Sequence, residues 1–271
     1  MPPKQHLKSF FTPKTITNTT YKMQFKKSTI KLIALLTTIT TTCFKIHSQT
    51  NSEIVLYSKF DSIVGKENLG LNNGPLALNP YKTIGDNNMF FKNNKYTVGN
   101  LVYDGQPYFN VKLKYDLFKD QLILNPPEQP EHIGISLIQD KTDSFSIYGK
   151  NFVKITKSQT ALTDFITGYY QIIKIGKNLN LFIRHQKDIL KEINDEGLYY
   201  SFHEKYQYYI EYNEKFHEIS NKASIVQLFP ENKKDINSFY QKNRSLIKSD
   251  YNQFINSLMI SIYDSSTNNT K

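Results

Sequence analysis

The sequence predicts a mainly β, α+β fold: an antiparallel β-meander sheet, curved or partly closed as a barrel, with two to three C-terminal α-helices packed on it. Three observations carry this. Asp104-Gly105 stands between two runs of alternating apolar and polar residues. Short strand-like runs then recur at close spacing with turn residues between them, the pattern of a meander and not of βαβ units. From Asn221 onward the apolar period lengthens to the spacing of a helix that faces a core.

Tyr96 to Tyr103 and Gln106 to Leu117 form the best-defined pair. Asp-Gly between strands favours a type I′ hairpin, because both central positions need positive φ. In the second run Phe109, Val111, Leu113, Tyr115 and Leu117 alternate with Asn110, Lys112, Lys114 and Asp116, which predicts one buried and one solvated face. Phe118-Lys119-Asp120 is a turn, Gln121 to Leu124 a strand, and Pro126-Pro127 with Pro130 a break. Strands follow at Ile133 to Ile138, Ser144 to Tyr148 and Asn151 to Ile155, and residues 158–167 read as a loop. The series continues at Tyr169 to Ile175, Leu179 to Arg184, Leu198 to His203, Tyr206 to Tyr212 and Lys215 to Ile219, with turns at Gly176 to Asn178 and Asn213-Glu214. Ala223 to Leu228 is a short helix, and Pro230-Glu231 opens a second with Ile236, Phe239 and Tyr240 inward. Ser249-Asp250 caps a third, whose apolar side is Phe254, Ile255, Leu258 and Ile262. The polar tail, residues 265–271, is expected to fray.

Charge divides the chain unevenly. Residues 1–48 hold eight of the 34 basic residues and none of the 24 acidic ones, so the rest carries 26 against 24, a net of +2 instead of +10. Met23 to Lys31 reads as a basic n-region and Leu32 to Phe44 as an uncharged apolar run, too short to cross a bilayer and the right length for a signal peptide. We therefore expect a signal peptide over residues 23–48, cleaved after Ser48, and translation starting at Met23, with residues 1–22 outside the native product. An acylated Cys43 is the competing reading of the leader, but Thr40-Thr41-Thr42 lacks the small residue wanted before such a cysteine. The basic balance thus belongs to the leader, and no nucleic-acid partner and no membrane span is expected of the mature chain. The mature chain, with a β-rich region at 49–220 and a helical segment at 221–264, has no cysteine, which removes thiol chemistry and Cys-based metal sites.

Asn73-Gly-Pro75, the run Gly99 to Asp116, Ser144 to Phe152, Gly168-Tyr-Tyr-Gln171 and Ser224 to Ile236 together resemble, in the same order, uncharacterised secreted proteins common in Bacteroidota. The resemblance covers nearly all of residues 54–264. It implies export in a diderm cell, to the periplasm or outer surface, and carries no known activity, cofactor or catalytic residue.

No motif for nucleophilic catalysis or phosphate binding is present: there is no Gly-x-Ser-x-Gly and no Gly-x-Gly-x-x-Gly. Of the histidines past the leader, His203 and His217 lie on neighbouring expected strands near Glu211 and Glu218, a weak metal pattern outweighed by solvent-facing sheet positions. Asp104, Asp116 and Asp120 invite an acid-pair reading, yet Asp104 and Asp120 are explained by turns. Tyr199, Tyr206, Tyr208 and Tyr212, with His203 and His217, are the speculative ligand contacts, since a tyrosine cluster can stack on a glycan or peptide. Ordinary sheet packing explains the same tyrosines. Lys233-Lys234 and Lys242 with Arg244 read as a solvated helix face. The expectation is a non-enzymatic cell-envelope binding or scaffold protein without a cofactor, whose partner is an envelope protein, a glycan or a lipid. A carrier of an apolar ligand between sheet and helices is the alternative, and a hydrolase of unrecognised type the next.

Overall fold

The computed structural model describes residues 54–60, 62–63, 65, 69–195 and 197–268; the leader, its cleavage point, Cys43 and the start at Met23 lie outside the described residues. The strands are β1 (Thr97–Tyr103), β2 (Gln106–Asp116), β3 (Gln121–Asn125), β4 (Ile135–Ser136), β5 (Thr142–Ile147), β6 (Lys150–Ile155), β7 (Gly168–Lys174), β8 (Leu179–Asn194), β9 (Gly197–Tyr212) and β10 (Lys215–Glu218). They form one antiparallel sheet in the order β10-β9-β8-β7-β6-β5-β1-β2-β3-β4, open between its two edge strands. The C-terminal helices are α1 (Lys222–Leu228), α2 (Lys233–Lys242), α3 (Arg244–Ser249) and α4 (Tyr251–Asn268).

Local chemistry sets most of the corners. Asp104-Gly105 (φ 55° and 74°), Tyr148-Gly149 (50° and 69°) and Asn213-Glu214 (49° and 64°) all take two consecutive left-handed positions, as tight antiparallel hairpins require. Asn221 caps α1: its Oδ1 accepts the Ser224 amide at 3.1 Å, and the Ser224 hydroxyl donates back to the Asn221 carbonyl at 2.6 Å. Asp250 Oδ1 accepts the Gln253 amide at 2.8 Å and so starts α4.

Five elements depart from the sequence expectation. In β2 the inward residue at the hairpin end is Tyr108, not Phe109, because the register slips by one residue between Gly99↔Val111 and Leu101↔Tyr108. The extra residue lies at Phe109-Asn110, where Asn110 sits at φ 56° and its amide donates to Asn100 Oδ1 at 3.3 Å. A bulge of this kind moves every residue beyond it to the other face. β8 and β9 are each 16 residues long, where a six-residue strand and two separate strands were expected. Their outer halves form a two-stranded arm beyond Ile183, the last β8 residue paired with β7. Both faces there carry charged residues, so periodicity stops signalling a strand. β4 shrinks to Ile135–Ser136, and α4 runs on through Ser265 and Ser266, whose hydroxyls donate to the Ser261 and Ile262 carbonyls one turn back.

One face of the sheet carries two clusters in succession. Over β1 to β7 it is filled by aromatic and aliphatic side chains, among them Leu113, Tyr115, Leu122, Phe145, Phe152 and Tyr169. Phe145 and Phe152 stack at 4.8 Å with Tyr115 and Tyr169 edge-on against them. Over β8 and β9 the same face is covered by the helices: Leu181, Ile183, Tyr208 and Ile210 bury against Ile225, Ile236, Phe254, Ile255 and Leu258. Each such side chain contributes about 1.5–3 kcal/mol on burial, so the helical layer is held by packing rather than by helix propensity. These side chains pack the middle of the interface between sheet and helices, and an open groove of about 960 Å³ lies at its edge, between Leu179 and Tyr212 of the sheet and Ile262 and Tyr263 of α4. The opposite face is closed by the loop after β6, which lays Phe165 on Tyr170 and Tyr209.

Gly168, the first residue of β7, is fixed by close approach. A Cβ there would lie 2.1 Å from Asp120 Oδ2 and 3.7 Å from Arg184 Nη2. Gly168→Ala is expected to destabilise the fold by about 1–3 kcal/mol, read as a lower urea midpoint at unchanged slope; an unshifted midpoint would contradict the packing described.

Candidate functional site

The sequence order of residues 77–96 dictates a strap. It carries Pro80, the pairs Asn87-Asn88 and Asn93-Asn94, and the apolar run Met89-Phe90-Phe91, which is too short and too interrupted to be a strand of the sheet. Instead the chain uses side-chain amides to hold itself. Asn87 brackets the backbone of Phe202 on β9, its Nδ2 donating to the carbonyl at 3.1 Å and its Oδ1 accepting the amide at 2.7 Å. The Tyr200 amide donates to the Lys82 carbonyl at 2.9 Å. At the other end Phe91 donates to Tyr115 and Leu117 donates to Met89, both at the end of β2. Met89 and Phe90 then bury between Ile123 of β3 and Phe202 of β9.

Lys187 ties these contacts together. Its Nζ donates to the carbonyls of Asn88 at 2.7 Å and Phe90 at 2.9 Å, and its own amide reaches the Leu117 carbonyl at 3.4 Å. Burial lowers the Lys187 pKa, against the opposing pull of the Glu204 and Asp116 charges.

Between the strap and the outer face of β2 and β3 lies a cleft of about 350 Å³. Lys114 stands in it with Nζ 4.2 Å from the ring centre of Phe90 and 4.5 Å from that of Tyr96, and donates to Asn94 Oδ1 at 3.0 Å. Burial lowers the Lys114 pKa, against the opposing pull of Asp116 and Glu131. Burial and then the Glu131 charge raise that of Tyr96. Gln121, Glu131 and His132 complete the polar lining. A second cleft of about 490 Å³, on the other side of the strap, shares Asn79, Met89 and Asn94 with the first and adds Thr83, Asp86 and Asn93. The two make one polar groove straddled by the strap.

The residues singled out from the sequence are dispersed. β9 is one continuous strand, so Tyr199 and His203 fall on one face and Tyr206, Tyr208 and Tyr212 on the other. The latter three are packed: Tyr208 donates to Asn252 Oδ1 at 2.9 Å and meets Tyr251 edge-on, Tyr212 meets Phe229, and Tyr206 meets His185. Tyr212 also borders an open groove of about 960 Å³ with Phe229, Ile262 and Tyr263 at the end of α4. Tyr199 is buried under the Lys82 ammonium, 4.3 Å from its ring centre. His217 is paired with Ile210, seven residues along β9 from His203, roughly 23 Å at strand rise. The two imidazoles are not brought together, and no cluster of three or more metal-ligating side chains occurs among the described residues.

His203 does meet Ser201, Nε2 to Oγ at 3.1 Å, but the Ser201 hydroxyl also donates to Glu192, and Asp188 opposite is 3.6 Å from Lys205. This is a hydrogen-bonded ladder on the solvent side of the arm. It lacks the order of a nucleophile, a base and an acid orienting the base. Asp104 is exposed and 3.0 Å from Lys141. Asp116 accepts the Phe118 and Lys119 amides at 2.9 and 3.0 Å, closing the turn after β2. Asp120 accepts the Tyr115 hydroxyl at 2.6 Å and lies 3.8 Å from Arg184, on the opposite side of β2 from Asp116. The basic residues 233, 234, 242 and 244 are exposed on α2 and α3.

Two buried polar residues were missed by sequence reasoning, Arg184 and His185, both 5 % exposed. Arg184 reaches Gln207 Oε1 at 3.3 Å across the strands. His185 sits among Phe91, Phe152 and Tyr206 with Nε2 2.8 Å from Gln171 Oε1. The signal available was Gln171 and His185 inside otherwise apolar strands; the early end assigned to β8 at Arg184 hid it.

Comparison with protein-family models, with curated proteins and with solved structures yields no match for this chain. What the fold and site define is a class: a mainly β protein with an open ten-stranded antiparallel sheet, a C-terminal helical layer and a strapped polar groove. No helix among the described residues is long and apolar enough to cross a membrane.

Burial, and then the Lys150 charge, lower the His185 pKa to about 3, against about 6.5 for an unfolded histidine. The folded state therefore binds the proton less readily than the unfolded one, and stability falls as pH drops from about 6.5 toward 3, by up to about 1.4 kcal/mol per pH unit. His185→Gln is expected to flatten this slope in urea unfolding measured from pH 4 to 7; an unchanged slope would assign the acid sensitivity to other groups.

Proposed function

We propose that this is a non-catalytic exported protein of a diderm cell envelope, acting in the periplasm or at the outer surface, whose strapped groove binds a partner molecule. The observation that carries this reading is the construction of the groove. Its walls are pinned by hydrogen bonds at both ends of the strap, so a binding surface is pre-formed and costs little to organise when occupied. Polar side chains converge in it on an aromatic wall, the usual composition of a specific site. The basic, acid-free stretch ending near Ser48 and the near-neutral remainder support export.

Fractionation of native cells with N-terminal peptide mapping tests the reading. Recovery in the envelope with Gln49 as first residue, and no turnover on a panel of ester, glycoside and peptide substrates, is expected. Retention in the cytosol, a peptide from residues 1–22, or hydrolysis abolished by Asp116→Asn or His203→Gln would contradict it.

A further inference from the structure

The groove's hydrogen-bonding groups narrow what it takes. The side-chain carbonyls of three asparagines are each held by the protein: Asn79 Oδ1 accepts the Tyr81 amide at 3.0 Å, Asn93 Oδ1 accepts the Lys95 amide and the Tyr148 hydroxyl at 3.0 Å each, and Asn94 Oδ1 accepts Lys114. Each amide plane is thereby oriented, and the three NH₂ groups make no hydrogen bond among the described residues. They are solvent-exposed donors on the lining of the two clefts. The Asp86 and Glu131 carboxylates, both exposed, supply acceptors in the same lining. Burying a donor without a partner costs about 1–3 kcal/mol, so an occupant of this groove must present acceptors and donors at close spacing.

Charge narrows it further. Lys92, Lys95, Lys114 and Lys119 face Asp86, Asp116 and Glu131 across the two clefts, which leaves no strong single sign to select a polyanion or a polycation. Lys114 is already engaged by two rings and Asn94, which removes it as an anion hook. Vicinal hydroxyls, each donor and acceptor at once, match exposed amides and carboxylates, and the partly exposed Tyr96 ring offers an apolar edge to a C–H face.

We propose that the groove binds a neutral saccharide chain. This rests on the groove being the protein's binding site. Its test is isothermal titration of the full mature chain, residues 49–271, with maltotriose and with N,N′,N″-triacetylchitotriose, after a screen on a glycan array. Binding of a neutral glycan, weakened at least tenfold in Asn79→Ala/Asn94→Ala with the melting temperature of the parent, is the expected result. Should the double variant melt earlier, Glu131→Gln, on an exposed residue, gives the same reading with a smaller loss. Three outcomes would overturn the proposal. No neutral glycan binds on the array or at millimolar concentration. Only heparin oligosaccharides or peptides bind and lose affinity in the variants, which keeps the groove and removes the neutral saccharide. Or a neutral glycan binds equally to parent and variants, which removes the groove itself.

Discussion

The Lys187 ammonium, half-buried against the carbonyls of Asn88 and Phe90, is the contact on which the arrangement of the groove depends. An antiparallel sheet of ten strands open at both edges does not by itself bring β9 near β2, which stand five strands apart in the sheet order. The strap does, by hydrogen-bonding Tyr200 and Phe202 at one end and Tyr115 and Leu117 at the other. Lys187 reaches the middle of that segment from β8, and its backbone reaches Leu117. A lysine whose ammonium is partly desolvated is costly unless its donors are filled, so the strap and the arm each complete the other.

From that constraint the use of the two sheet faces follows. One face is spent on the aromatic interior over β1 to β7 and on the helical layer over β8 and β9. The strap occupies the outer side of β2 and β3 and leaves the groove on its flanks. Of the β9 tyrosines that a stacking platform would need, Tyr206, Tyr208 and Tyr212 pack on the helical side and Tyr199 lies under Lys82, which turns attention from the aromatic strand to the polar groove.

The fold was legible in the sequence wherever one face of a strand is buried and the other solvated. The Asp104-Gly105 hairpin, the meander, the change of period at Asn221 and the cap at Asp250 follow from turn chemistry and period alone. Legibility failed where that asymmetry fails. The outer halves of β8 and β9 carry charge on both faces, so Gln186 to Asn194 does not read as a strand and β9 reads as two strands that stop at His203 and resume at Tyr206. The bulge at Asn110 left a single weak trace, an asparagine in the alternating run. The groove was hidden for another reason: its asparagines act through tertiary partners such as Phe202 and Tyr148, which no local pattern announces, and in an asparagine-rich chain the pairs Asn87-Asn88 and Asn93-Asn94 do not stand out.

Native-state hydrogen exchange followed at single amides, in the parent and in Lys187→Met, addresses the strap most directly. The account predicts that the amides of Phe91, Leu117, Tyr200 and Phe202 are protected to a common degree in the parent and lose protection together in Lys187→Met, while those of Tyr170 and Phe182 in the sheet stay slow. Independent exchange of the four in the parent, or four amides untouched by the substitution, would contradict it.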